Sequence, residues 1–334
     1  MKFKPIIGLI LGDAAGVGPE IIAKLAGNGF YNDYCRPVIL GDIRILERAS
    51  EAAKVSFQMQ VISKIEDASW EQGIPVLDQH NLDPEDVPYG KLSIESGKAC
   101  LDLLKLAIEL FQENKIHGIC FAPLNKTAMI QAGCAFESEH HYMADIFKHT
   151  EPFGEINVVD NLWTTRVTSH IPIKDVSANI SVDRILRAVH LANTTLKNAG
   201  IEKPILGLAA LNPHCGESGK CGREEIDVIM PAIERARELG IDARGPYSSD
   251  ILFIKAFNGE FHGTVTMYHD QGQIALKLKG FDQGITIAGG LPAPIVTCAH
   301  GTAYDIAGKG IVKTSAFENA VKMAARMAAH INNG

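Results

Sequence analysis

The stretch Tyr268-His269-Asp270-Gln271-Gly272 carries the densest chemistry in the chain. It follows an apolar run, 264–267, that reads as a short buried strand. An imidazole and a carboxylate then stand at the strand's carboxyl end, the edge where open α/β sheets bind ligands. Taken alone, His269 is more simply read as a hydrogen-bonded histidine at a strand end. Two other histidines shift that balance. His170 closes a strand expected at 166–169, and His214 follows a strand at 205–211 through Asn212-Pro213. Three neutral imidazoles with an open fourth position describe a catalytic divalent-metal site, whose ion acts as a Lewis acid on a substrate oxygen. His80, His117, His149, His190, His262 and His330 lie in helical or loop contexts and are expected to be ordinary surface or packed residues. His140-His141, next to Glu139, sits in a loop and is either ligand-facing or merely exposed.

The elements that must position these residues alternate between strand and helix. A buried strand at 6–11 runs into Gly12-Asp13-Ala14-Ala15-Gly16-Val17-Gly18-Pro19-Glu20, with Pro19 suited to a first helical turn. Such a turn either presents backbone N–H groups to an anion or is a structural tight turn; its spacing matches no dinucleotide or Walker loop. Strands follow at 37–40 and 118–122, the second ending in Pro123-Leu124-Asn125-Lys126, which makes Lys126 a candidate site residue. Helices are expected at 96–114, at 181–198 behind a Ser181 cap, at 224–239 with a kink at Pro231, and at 315–331 behind a Ser315–Glu318 capping box. The pattern predicts an α/β protein with a largely parallel sheet.

A chain of 334 residues exceeds a typical single core, so two lobes are expected. Hydrophobic residues make up 46%, charged residues 21%, and the net charge is −7 with both signs interspersed. Nothing forms a basic face for nucleic acid or a polybasic membrane patch. Seven scattered cysteines form no disulfide framework, and Cys215 and Cys221 fit no common zinc spacing. The apolar run behind Lys2 and Lys4 is too short for a signal peptide, and no stretch approaches the ~18 apolar residues of a membrane span. A cytoplasmic location is expected.

Over essentially its whole length the chain resembles the 4-hydroxythreonine-4-phosphate dehydrogenase family of pyridoxal phosphate biosynthesis. The matching blocks are the glycine turn at 12–20, Pro123 to Lys126, His170-Ile171-Pro172, Leu211-Asn212-Pro213-His214 with Gly216-Glu217, and Gly222-Arg223-Glu224-Glu225-Ile226. Gly245-Pro246 with Asp250, Met267 to Gly272, Lys277 with Lys279-Gly280-Phe281, and His300-Gly301-Thr302-Ala303 complete them. The stretch 300–310 also resembles the adenosine-binding loop of isopropylmalate and isocitrate dehydrogenases, which share the two-lobed α/β/α fold. The resemblance implies a cofactor lobe at 1–128 plus 285–334 and a metal, substrate and dimerisation lobe at 129–284. It implies NAD- or NADP-dependent oxidation of a secondary alcohol β to a carboxylate, followed by loss of carbon dioxide. His170, His214 and His269 map onto the family's ligands for a divalent metal (Zn, Mg, Mn or Co). One site then draws on both subunits of a homodimer, with His269 expected from the second. Lys126 and Asp250 are candidates to move or orient the substrate proton. Gly12, Asp13, His300, Gly301, Asp305 and Gly308 are candidate cofactor contacts.

The substrate set departs from the family pattern. Glu139-His140 stands where the family has His-Thr, Thr286 where it has Asn, and Ile295 where it has Arg; Lys277 is retained. Loss of the guanidinium fork and gain of a carboxylate predict weak phosphate binding, unless Arg223 or Arg244 supplies the charge. An unphosphorylated diol acid, such as a cis-dihydrodiol carboxylate, is therefore the expected alternative substrate. A phosphate acyltransferase of the same architecture and an inactive binding protein are the rivals of other classes.

Overall fold

The apolar runs near the N-terminus become strands buried on both faces, which is why they show no polar alternation. In the computed structural model, which describes residues 3–333, these strands are β1 (Ile6–Ile10), β2 (Arg36–Gly41), β3 (Met59–Ile62), β4 (Ile74–Asp78) and β5 (Gly118–Phe121). With the last strand, β12 (Ile295–Cys298), they stand in the order β3-β4-β2-β1-β5-β12, every pair parallel. The crossovers are α1 (Gly18–Gly27), α2 (Ile43–Ala53) and α3 (Ile94–Gln112); α4 (Lys126–Gln131), α5 (Glu139–Phe147) and α11 (Ser315–Asn333) complete this unit, Met1–Thr150 with Leu291–Gly334.

The second unit, Glu151–Gly290, holds β6 (Gly154–Val159), β7 (Leu162–Arg166), β8 (Ile205–Ala209), β9 (Asp242–Tyr247), β10 (Gly263–Thr266) and β11 (Ile285–Gly289). Their order is β11-β6-β7-β10-β8-β9. Two antiparallel pairings at β6 give way to parallel pairings from β7 onward. Its helices are α6 (Val176–Asn179), α7 (Val182–Asn198), α8 (Met230–Glu238), α9 (Ser249–Phe257) and α10 (His269–Gly280).

Several details differ from the sequence expectation. The first boundary falls after Thr150 rather than after residue 128, because α5 packs on α3: Tyr142 Oη donates to Leu101 O at 3.2 Å and the Phe111 and Phe147 rings meet edge to face. The second falls after Gly290, so β11 and Thr286 belong to the second unit. The strand expected at 166–169 ends at Arg166. The helix expected at 224–239 does not simply kink at Pro231. A π-helical turn, Glu225–Ile229, precedes α8, and Pro231 sits in the first turn of α8. A proline lacks the N–H and its ring crowds the carbonyl four residues back, a conflict that a change of helical register relieves. At α11 the cap lies one residue earlier than expected, with Thr314 Oγ1 donating to Glu318 Oε1 at 2.7 Å. Among the described residues no helix is long and apolar enough to cross a membrane.

Candidate active site

In the second unit β7, β10 and β8 are neighbours and run parallel, so their carboxyl ends share one edge. Each is followed by one of the three histidines. Register explains the meeting of two of them. Arg166 pairs with Thr266; Val167 N then donates to Thr266 O at 2.8 Å, and Thr168 donates to Met267 O from N at 3.1 Å and Oγ1 at 2.8 Å. Held in step this far, the two strands bring the His170 and His269 rings to a centroid separation of 5.4 Å.

His269 Nδ1 lies 2.6 Å from Asp270 Oδ1, and His214 Nδ1 lies 3.1 Å from Glu217 Oε1. A carboxylate on one ring nitrogen fixes the tautomer and leaves Nε2 to face outward, the arrangement common to metal-binding histidines. The donor set therefore fits a divalent ion. Within one chain, however, the three rings do not close on one point. Among the described residues the only group of three potential ligands whose atoms all lie within 4.8 Å is Asp42, Asp78 and His80. That group is a helix start: Arg44 bonds Asp42 through Nε and Nη2, and Ile43 N and His80 N donate to Asp78 Oδ1. Within this chain the ring beside His170 is that of His269.

His214 opens a left-handed run. From His214 to Ser218 the φ angles are 49°, 55°, 75°, 45° and 60°. Left-handed backbone costs about 1–2 kcal/mol per non-glycine residue, so the surroundings must impose it. Asp250, in the first turn of α9, is exposed; the Ser248 hydroxyl holds its carboxyl below the usual range, with the nearby His214 contributing.

A polar layer lies on the same strands. The buried Arg166 guanidinium donates to Ser169 Oγ at 3.0 Å, to Asn157 Oδ1 at 2.8 Å and to the Glu155 carboxylate. Asn157 Nδ2 donates to Thr286 Oγ1 at 3.0 Å across the β6–β11 ladder, so Thr286 is a buried strand residue bonded to its neighbour. On α10, Gln273 also donates to Asn157, and one turn further Lys277 is exposed without an ion pair among the described residues. Arg223 and Arg244 are already paired, with Asp227 and Asp242. Neither is a free cation.

In the first unit the glycine turn is a closed network. Gly12 has φ +73°, and a Cβ there would lie 2.6 Å from Pro123 O, so only glycine fits. Asp13 is buried; its Oδ1 accepts from Ala15 N at 3.0 Å and Ser96 Oγ at 2.6 Å, and its Oδ2 accepts from Tyr304 Oη. Burial, followed by the bond to Asp13, raises the Tyr304 hydroxyl pKa well above its ordinary value. Asn125 caps α4 and donates to Tyr304 Oη at 2.7 Å. Glu20, fully buried, accepts from Gly308 N and from Gly310 N at 2.8 Å. Three of the expected cofactor residues, Gly12, Asp13 and Gly308, are thus committed to building the turn. The other three remain accessible: His300, whose Nδ1 lies 3.0 Å from Gly301 O; Gly301, with open space at its α-carbon; and Asp305, exposed. Lys126 heads α4 and lies 3.4 Å from Glu139 Oε2, while Glu139 Oε1 is 3.8 Å from the buried His140 Nδ1. Ile295 is fully buried in β12. Tyr304, Ser96 and Arg166 were not anticipated, since a tyrosine or serine far away in sequence gives no local sign that it bonds a carboxylate.

Comparison with known proteins gives a consistent assignment. A family model, "Pyridoxal phosphate biosynthetic protein PdxA", matches residues 33–324. The 4-hydroxythreonine-4-phosphate dehydrogenase of Desulforapulum autotrophicum is 37% identical over 327 residues, 97% of this chain and 96% of its own. The D-threonate 4-phosphate dehydrogenase of Cupriavidus necator is 37% identical over 327 residues, 98% of both chains. The crystal structure of a 4-hydroxythreonine-4-phosphate dehydrogenase from Burkholderia phymatum superposes with a TM-score of 0.84 at 37% identity, covering 98% of this chain and 99% of that one. A terephthalate 1,2-cis-dihydrodiol dehydrogenase from Burkholderia xenovorans gives 0.67 at 25% identity, covering 97% and 98%.

Proposed function

Because the chain belongs to the PdxA family and is a dehydrogenase of that family, we propose that it oxidises the secondary alcohol of a small phosphorylated hydroxy acid. The substrate is of the 4-hydroxythreonine-4-phosphate or D-threonate 4-phosphate kind, with NAD or NADP as hydride acceptor. The observation that carries this is the row of histidines at the carboxyl ends of three adjacent parallel strands, two of them with Nδ1 held by a carboxylate. His170, His214 and His269 would hold a divalent ion, which when bound would supply Lewis acidity for the oxidation and for loss of carbon dioxide from the keto acid. Asp250, kept ionised by Ser248, accepts or orients the alcohol proton. Lys277, exposed on the helix that His269 begins, holds the substrate anion. Lys126, beside Glu139, is the remaining candidate for proton transfer. His300, Gly301 and Asp305 receive the adenosine side of the cofactor.

The working form is a homodimer. The adjacency of the His170 and His269 rings supports a site in which one chain gives this pair and a second copy gives His214. The same unit exposes Ile173 (69%), Ile254 (58%), Ile274 (60%) and Leu278 (85%), large apolar side chains that a partner could cover.

Buried Ile295 and the carboxylate of Glu139 favour a second reading, an unphosphorylated diol acid, which the likeness to the cis-dihydrodiol dehydrogenase also supports. Steady-state NAD(P)H formation decides between them. A kcat/KM within ~10⁴–10⁸ M⁻¹s⁻¹ for 4-phosphohydroxythreonine or D-threonate 4-phosphate is expected. A dephosphorylated acid turned over faster than both would replace the first reading by the second.

A further inference from the structure

Glu225 is 2% exposed and, among the described residues, makes no ion pair. Its carboxylate gathers three donors instead: Oε1 accepts from Leu211 N at 2.8 Å and Asn212 N at 2.7 Å, and Oε2 accepts from Asn212 Nδ2 at 3.0 Å. Those donors lie immediately before the left-handed run that starts at His214. Further along the run, a Cβ at Gly216 would stand 2.7 Å from Glu225 Oε2 and 2.8 Å from Gly222 O. One buried carboxylate therefore holds the loop where it enters the run and packs against its third residue. The loop closes on itself through Cys221 N to Gly216 O at 3.0 Å. Glu225 is also the first residue of the π-helical turn ahead of α8, a feature often found at functional sites.

The direction of the His214 imidazole depends on the backbone angles of this loop, and an acceptor-only group is what three converging donors require. We propose that Glu225 is the positioning residue for His214: its carboxylate holds the extended entry at 211–212 and packs against Gly216, fixing the left-handed run from His214 that aims the imidazole. The inference rests on the reading of His214 as a metal ligand, and the two fail separately.

The test is cobalt(II) binding by the full chain after chelator treatment, followed by visible absorption, alongside steady-state kinetics. Glu225→Ala should weaken binding 10–100-fold, the usual effect of removing a group that orients a ligand, with the KM for NAD(P) unchanged. Glu225→Gln keeps one oxygen for the two backbone donors and should recover most of the affinity. Gly216→Ala leaves Glu225 in place but crowds its carboxylate, and should weaken binding as well; if Glu225→Ala does not fold, this variant and Glu225→Gln decide. His214→Ala is the control. Parental affinity in Glu225→Ala or, should that not fold, in Gly216→Ala, with affinity lost in His214→Ala, overturns the role of Glu225. Parental affinity in His214→Ala overturns the ligand assignment itself.

Discussion

The two strand edges that carry polar residues are built in opposite ways. In the first unit Asp13, Glu20, Ser96, Asn125 and Tyr304 bond one another or nearby backbone N–H groups, and the glycine turn is closed from within. In the second unit His214 and His269 each have a carboxylate on one nitrogen and remain accessible, with side-chain exposures of 72% and 35%. The first edge uses its polar side chains to shape a backbone surface; the second uses them as unfilled donors. The difference teaches that a charged residue in a family motif need not touch a ligand. A buried carboxylate with every donor supplied by the protein is holding a shape, whereas an exposed imidazole fixed at one nitrogen is set to bind something.

The sharpest way to break this contrast is at His269. His269→Ala should lower kcat on the order of 10³-fold, as removal of one preorganised electrostatic group does, with thermal stability nearly unchanged because the residue lies near the surface. Mixing inactive variants then reads the grouping of the rings. A mixture of His170→Ala and His214→Ala chains should recover about a quarter of parental activity, since half the dimers are mixed and one of their two sites is intact. His170→Ala with His269→Ala should recover none. Recovery by the second mixture alone would return His269 to the other subunit.

At the closed edge the expected effect is on stability. Asp13→Ala strands Ser96 Oγ, Tyr304 Oη and Ala15 N, and should cost about 2–4 kcal/mol in urea unfolding. Unchanged stability with a raised cofactor KM would instead make Asp13 a direct cofactor contact and erase the contrast. The smallest effect is expected at Asp305. With its carboxylate exposed and its backbone carbonyl accepting from Lys309 Nζ at 2.7 Å, Asp305→Ala should raise the NAD(P) KM about tenfold, the weight of one charge-assisted hydrogen bond, and leave kcat alone. An unaltered KM would remove the adenosine assignment.

Much of this was legible from the sequence by itself. Buried parallel strands are written as apolar runs such as 6–11, and caps such as Ser181 lie next to the helix they start. The strand-end addresses of His170, His214 and His269 followed from the same local signals. What the tertiary structure alone decided depends on which strands are neighbours. The order β7-β10-β8 and the Arg166–Thr266 register bring His170 to His269, although 99 residues of chain separate them. Likewise Tyr304 reaches Asp13 across 291 residues, and Glu20 reaches Gly308 across 288. Local propensity extends over a few residues, but hydrogen bonds and packing act between whatever the fold brings into contact. A sequence can therefore nominate Asp13 and His269 alike, and only burial and partners separate the residue that holds the turn from the one left open for a ligand.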